Sequence, residues 1–358
     1  MLRFIKSRIL LSFCRKKQIN NIDPDTVKKI LVLKYDRIGD MVVATPVFRE
    51  IKKSIPNVEL VVLASNINRP IIENNPYIDD IFIYSNNWIK LFPKLLRLRK
   101  KKFDVCFEFE AGVVPRSILI TKIINPKYTA AVFKQHGKYG LPQEQLNVYD
   151  YYSNYDVDSH RSKNLLDVLN FIKINSNDNT YDLHVSEQSF LKIDKFVRNF
   201  DSKIIKIGLN LEGSKYNGKI PATKLKTIIT NVSKNHKVSF FILAAPWERT
   251  TIDSLIKQLG FKNLYPTYFN ISDIQAFLYQ LNIVISVDTS IVHIASALNI
   301  PIVGIYADDK QNFSQWSPNN SRSKVVFSNS YESALDFDPL EVADKTKELI
   351  TTFVDCRR

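Results

Sequence analysis

Two short segments place side chains capable of chemistry directly after apolar runs. Arg37-Ile38-Gly39-Asp40 follows Ile30–Lys34 (ILVLK), and Asp288-Thr289-Ser290-Ile291-Val292-His293 follows Ile283–Val287 (IVISV). A carboxylate at the end of a strand can take a proton from a hydroxyl, general-base work worth roughly 10²–10⁴-fold in rate. Gly39 permits a tight turn, and Asp40 could serve as a helix cap. Thr45-Pro46 reads as the better cap, with proline at the first helical position. That leaves Asp40 in the loop as the expected base. In the second segment Thr289 or Ser290 caps a helix whose buried face is Ile291, Ile294, Ala295 and Leu298. The start of such a helix is an anion site, through its N–H groups and its dipole together. His293, one turn in, is expected to touch the anion rather than only fill the core.

Weaker candidates lie between these two segments. Lys219 ends a polar loop and can neutralise a diphosphate, and Glu248, after Ala244–Trp247, can accept a pair of ribose hydroxyls. With Asp288 and Thr289 these make a nucleotide-diphosphate site. Arg116 can hold an acidic group on a second substrate. A competing reading from another class is a P-loop ATPase, because Gly213-Ser-Lys-Tyr-Asn-Gly218-Lys219 spells GxxxxGK. Position 220 is Ile where that loop needs Ser or Thr for Mg²⁺, and Pro221 lacks the N–H expected there. No GxGxxG, HExxH, GxSxG or CxxC occurs. Cys14, Cys106 and Cys356 lie far apart, so no disulfide framework or zinc site is expected. Neither a metal nor a cofactor is expected.

These residues need strands to carry them, and the chain provides strands alternating with helices. Short apolar runs at Ile30–Lys34, Val58–Leu63, Asp80–Tyr84, Phe103–Phe109 and Tyr128–Phe133 read as strands. So do Ile204–Leu209, Val238–Leu243, Ile283–Val287 and Ile302–Ile305. Helical stretches lie between them, among them a basic amphipathic one over 88–101, one over 162–172 and a last one over 339–353. Alternation of this kind means an α/β fold with parallel sheets. The length of 358 residues suits two domains. The polar run Asn175–Asn179 is the best boundary. The expected division is a basic amphipathic segment 1–22, a first Rossmann-like domain 23–176, a second 177–337 and a terminal helix 338–358. The cleft between two such domains would gather sites at strand carboxyl ends.

Charge is local. Of a net +14, residues 1–20 carry +6 and residues 88–102 carry +7, with no acid in either stretch. Two patches favour an anionic surface or acidic substrate over a general nucleic-acid groove, and no nucleic-acid module is recognisable. The longest uninterrupted apolar run near the amino terminus, Ile9–Leu11, is far too short to span a bilayer. Residues 1–20 read either as a basic terminus or as an interfacial helix on anionic lipid.

The long motifs resemble those of glycosyltransferase family 9, the lipopolysaccharide heptosyltransferases. The matching stretches are Ile30–Pro46 (ILVLKYDRIGDMVVATP) and Ile283–Pro301 (IVISVDTSIVHIASALNIP), the latter leading to Trp316-Ser-Pro318. Lys219-Ile-Pro221 and Ala244–Glu248 are similar to shorter motifs of the family. Ser290 stands where the family reads glycine, and Ile220 where it has an aromatic. The resemblance implies a GT-B fold of two facing Rossmann-like domains, donor in the second and acceptor in the first. It implies metal-independent inverting transfer, most often of heptose from ADP-heptose to the lipopolysaccharide core. Asp40 then matches the catalytic base. Ser214, Lys219, Glu248, Ile271, Asp288, Thr289, Ser290 and His293 match donor-binding positions, and Arg37, Lys90 and Arg116 become candidates for a phosphorylated lipid-linked oligosaccharide acceptor. The implied location is cytoplasmic, peripheral on the inner membrane with its anionic surface. A transferase of the same fold using another nucleotide sugar is the near alternative.

Overall fold

The computed structural model describes residues 18–354 apart from 111, 113, 133–146, 155 and 213–217. The chain divides into two compact units, with the division between Asp182 and Leu183.

The first unit is built on β1 (Lys29–Leu33), β2 (Glu59–Ala64), β3 (Asp80–Ile83), β4 (Val105–Glu108), β5 (Tyr128–Ala131) and β6 (Tyr151–Tyr152). All pair in parallel, in the order β3-β2-β1-β4-β5-β6. Helices α1 (Ile38–Ser54), α2 (Trp88–Lys101) and α3 (Pro115–Ile124) make the crossovers, and α4 (Arg161–Leu166) follows β6. Parallel sheets are covered on both faces, so their inner strands read as unbroken apolar runs. Leu31, Leu33, Val61, Leu63 and Cys106 pack on Leu91, Leu95 and Leu98 of α2 and on Ile120 and Ile124 of α3.

The second unit repeats the plan after α5 (Glu187–Val197). Its strands are β7 (Ile205–Asn210), β8 (Val238–Ala244), β9 (Leu264–Tyr268), β10 (Ile283–Val287), β11 (Ile302–Tyr306) and β12 (Ser323–Phe327). They lie in the order β9-β8-β7-β10-β11-β12, all parallel. Helices α6 (Ala222–Ser233), α7 (Arg249–Leu259), α8 (Ile271–Tyr279), α9 (Ser290–Ala297), α10 (Lys310–Trp316) and α11 (Pro339–Leu349) complete it. Strand order 3-2-1-4-5-6 in each unit is the doubly wound Rossmann order. It reverses direction between β1 and β4 and again between β7 and β10, and ligands bind such sheets outside the carboxyl ends at that switch point.

Three expectations need correction. Thr45-Pro46 does not begin a helix: α1 starts at Ile38, and Pro46 lies inside it. Proline removes the N–H that Val42 would have bonded. The Thr45 hydroxyl instead donates to the Val42 carbonyl at 2.7 Å, so the carbonyl keeps a partner. The helix expected over 162–172 is α4 followed by a 3-10 stretch over Asp167–Ile172. The last helix keeps α geometry only to Leu349, and Ile350–Val354 forms a π turn. Strands β6, β9 and β12 are additions to the expected set. Each is the edge of its sheet, where Pro266 within β9 is tolerated because an edge N–H needs no partner.

Candidate functional site

In the first unit the carboxyl ends of β1 and β4, the switch-point pair, bring together a charge cluster. Lys34 follows β1 with its side chain 2% exposed, its ammonium 2.6 Å from Asp36 and 3.8 Å from Asp40. Asn68 fastens this turn: its amide donates to the carbonyls of Lys34 at 3.1 Å and Asp36 at 3.3 Å, and its own oxygen accepts the Ser65 N–H at 2.9 Å. Asp40 stands in the first turn of α1, where a carboxylate suits the helix dipole. It is neither the N-cap, which is Arg37, nor free in a loop. Burial pushes the Asp40 carboxyl above its ordinary value and neighbouring Asp36 pushes it further, while Lys34, Arg161 and Arg37 pull it down. The Asp36 carboxyl is also raised, by burial first, with Lys34 opposing and Glu110 adding to the rise. For Lys34 burial works against the charge, yet Asp36, Asp40 and Glu110 together hold its ammonium above the usual lysine range. A carboxylate whose basicity is raised by burial while a neighbouring ammonium supports its ionised form is suited to accept a proton.

Lys34, Asp36, Glu110 and the buried Arg161, whose guanidinium donates to the Phe109 carbonyl at 3.2 Å, are functional candidates that sequence reasoning missed. The available signal was Lys34 itself, a charged residue closing an apolar strand. Of the acceptor candidates, Arg37 and Lys90 are exposed. Arg116 donates to the carbonyls of Ser85 at 3.0 Å and Asn86 at 2.7 Å, and its guanidinium lies 4.8 Å from the Trp88 ring centre and 5.1 Å from that of Tyr84. It ties the start of α2 to its own helix.

In the second unit the switch-point turn is held by Asn210, the last residue of β7. Its amide donates to Thr289 Oγ1 at 2.9 Å, to Ser286 Oγ at 3.0 Å and to the Glu212 carbonyl at 3.2 Å. The register that pairs Ser286 with Asn210 makes this reach possible. Thr289 is the N-cap of α9, its hydroxyl accepting the Ile291 N–H at 3.3 Å. Ser290 is the first helical residue. It lies outside the set of positive-φ positions, so glycine is not required there. Asp288 accepts from the Asn312 amide at 3.2 Å, and burial raises its carboxyl to about 6 against that hydrogen bond. His293 is 3% exposed, its ring edge-on to Trp316 at 5.8 Å. Asn210 and Asn312 are the polar residues of this turn that sequence reasoning missed.

Lys219 and Glu248 come together, although 29 positions apart. Their charged groups are 2.6 Å apart, and Glu212 pairs with the same ammonium. Burial opposes the Lys219 charge, and the two glutamates raise its ammonium above the usual lysine range. Glu212 and Lys219 also form an isolated antiparallel bridge. This overturns the P-loop reading: a P-loop lysine opens the helix that follows its strand, whereas α6 begins three residues later, capped by Pro221. Ser214 lies outside the described residues. Ile271 opens α8 after the N-cap Asn270, which accepts the Asp273 N–H at 2.9 Å, beside the carboxyl end of β9. Among the described residues no group of three His, Cys, Asp or Glu side chains could hold a metal ion.

Known proteins are similar to this chain in sequence and in fold. The chain is 26% identical over 358 residues to an Escherichia coli (strain K12) protein described as a candidate lipopolysaccharide heptosyltransferase 4, covering 95% of this chain and 92% of that one. Its fold matches the crystal structure of the glycosyl transferase family 9 from Veillonella parvula (TM-score 0.76, 15% identity, 94% of this chain and 99% of that chain). It also matches the E. coli heptosyltransferase WaaC with ADP (TM-score 0.69, 13% identity, 90% and 99%). The profile of glycosyltransferase family 9 (heptosyltransferase) matches residues 133–346. With two doubly wound parallel sheets of the GT-B type and a match over more than half its length, the chain belongs to glycosyltransferase family 9 and is a glycosyltransferase.

Proposed function

We propose that the protein transfers heptose from ADP-heptose to a phosphorylated, lipid-linked lipopolysaccharide core acceptor, with inversion at the anomeric carbon. The observation that carries the donor side is the Asn210-locked, Thr289-capped start of α9 at the switch point of the second sheet. Helix N–H groups and dipole there bind the diphosphate, with Ser290 at the tip and Asp288 and His293 behind it. Lys219 neutralises the phosphate charge, and Glu248 takes the ribose hydroxyls. On binding, Glu248 exchanges its Lys219 partner for ribose, which releases that ammonium toward phosphate. Ser214 and Ile271 fall on the phosphate and adenine positions of this reading. WaaC was solved with ADP, which supports an adenine nucleotide here.

On the acceptor side Asp40 removes the proton of the acceptor hydroxyl. The oxygen attacks the anomeric carbon as its bond to the diphosphate breaks, and ADP leaves with the bonding pair. Charge building on the leaving diphosphate is met by α9 and Lys219. Arg37, Lys90 and Arg116 are the acceptor-phosphate candidates. An acceptor of this kind places the enzyme peripherally at the anionic cytoplasmic face of the inner membrane.

A thermal-shift series tests the donor. A ligand at 100 times its dissociation constant adds about 2.7 kcal/mol to stability. ADP and ADP-heptose should raise the unfolding midpoint where UDP- and GDP-sugars do not. A shift with a UDP- or GDP-sugar and none with ADP-heptose would assign a different donor on the same fold.

A further inference from the structure

Helix α2 packs on its sheet through Leu91, Leu95 and Leu98. Beside this buried stripe, turned toward solvent, the helix carries a second apolar stripe. Ile89 is 83% exposed, and Phe92 and Leu96 are exposed with it. Spacing of three and then four residues puts these on one face of the helix, with Trp88 exposed at its start. Trp88 stacks on the Arg116 guanidinium, but Ile89, Phe92 and Leu96 keep about two fifths or more of their surface exposed side by side, and a contiguous apolar patch of that kind marks an interaction surface.

The charge around the stripe narrows the partner. Lys90, Arg97, Arg99 and Lys100 are exposed on the same helix, and no acid occurs over 88–102. Arg99 donates to the Ile123 carbonyl, and Lys94 to the Ile83 carbonyl. Lys101 is the cation of α2 that meets carboxylates, Glu59 and Asp80 at the strand side. Lys90, Arg97 and Lys100 have no carboxylate partner among the described residues. Apolar side chains flanked by unpaired cations, with an aromatic at the edge, match a bilayer surface of anionic headgroups over shallow hydrocarbon. Arg116, bonded to the carbonyls just before the helix and stacked by Trp88, holds the start of α2 in place for such a contact.

We infer that the outer face of α2 is the lipid-contacting surface of this protein, inserting Ile89, Phe92 and Leu96 between anionic headgroups held by Lys90, Arg97 and Lys100. This deepens the membrane-surface part of the function proposed above. The test uses neither donor nor acceptor, so the two readings fail separately.

The experiment is co-sedimentation of the full chain with phosphatidylglycerol–phosphatidylethanolamine vesicles, and with phosphatidylcholine vesicles alone. Three variants join the wild type: I89S/F92S/L96S, K90E/R97E/K100E and, in the other basic stretch, R3S/K6S/R8S. None touches the buried side of α2, and unchanged unfolding midpoints verify the fold. The wild type should bind the anionic vesicles and lose them at high salt. The apolar variant should bind at least tenfold more weakly. The charge variant should bind at least about 100-fold more weakly, at roughly fivefold for each cation lost and more for the acids put in their place. R3S/K6S/R8S should retain most of the affinity. Binding unchanged in both α2 variants, or lost only in R3S/K6S/R8S, overturns the inference. Equal binding to phosphatidylcholine does so too. A wild-type dimer that the apolar variant converts to a monomer would assign the face to a second copy of this chain instead.

Discussion

Asp40 and Asp288 are both carboxylates that burial raises above their ordinary range, one in each unit and each at a switch point. Their proposed tasks differ. If Asp40 is the base, Asp40→Asn keeps the shape and loses the proton acceptor. Transfer should then fall by about 10²–10⁴-fold in kcat, with ADP affinity unchanged, as steady-state kinetics and calorimetry would read. Near-normal turnover in a folded Asp40→Asn would leave α1 with an acidic first-turn residue and no base. Asp288 allows a test through stability. Its folded-state value of about 6 lies above the unfolded one. Its contribution is therefore fully present below the unfolded value near 4 and is lost as pH rises through 6. At neutral pH the buried charge costs at most about 3 kcal/mol, less whatever solvent screens. Asp288→Asn should unfold at a higher temperature than wild type at pH 7.5 and at about the same temperature near pH 4. A gap that does not narrow on acidification would contradict this.

At the scale of elements, α1 depends on a local repair. Proline in a helix interior costs a hydrogen bond, and Thr45 restores a partner to the Val42 carbonyl while accepting the Asp182 N–H at 2.9 Å. Thr45→Val fills the same volume and leaves both buried groups unpaired, so stability should fall by about 1–3 kcal/mol. Thr45→Ser, which keeps the hydroxyl, should stay close to wild type in denaturant unfolding. Equal stability of Val and Ser at this position would mean that the helix accommodates Pro46 in some other way. The same helix shows why the start of α1 was misplaced from sequence: Thr-Pro is a sound capping signal, but a helix already propagating from Ile38 tolerates proline where a neighbouring hydroxyl serves the orphaned carbonyl.

For the whole molecule, the cation duties of the proposed reaction fall to Lys219 and to the dipole of α9. Turnover should therefore persist in excess EDTA, measured by ADP release. Activity abolished by EDTA and restored by Mg²⁺ would require a metal in the donor site and would remove Lys219 from its proposed task. Membership of glycosyltransferase family 9 rests on the fold and the profile match. The identity of donor and acceptor rests on these tests.

Inner strands were legible because a parallel sheet buried on both faces demands apolar runs, as in ILVLK and IVISV. The two long motifs were legible because a strand end followed by a capped helix is a local pattern, readable over a dozen residues. Edge strands β6, β9 and β12 were not, since an edge needs neither an apolar run nor every N–H. What the sequence determined by itself was thus the α/β alternation and the two turns that carry Asp40 and Asp288–Thr289. Only the tertiary structure decided who stands beside them. Asp40 with Arg161, Asn210 with Thr289, and Lys219 with Glu248 are set by strand register and sheet order. Asn210 and Thr289 lie 79 positions apart, a distance across which local propensity carries no information.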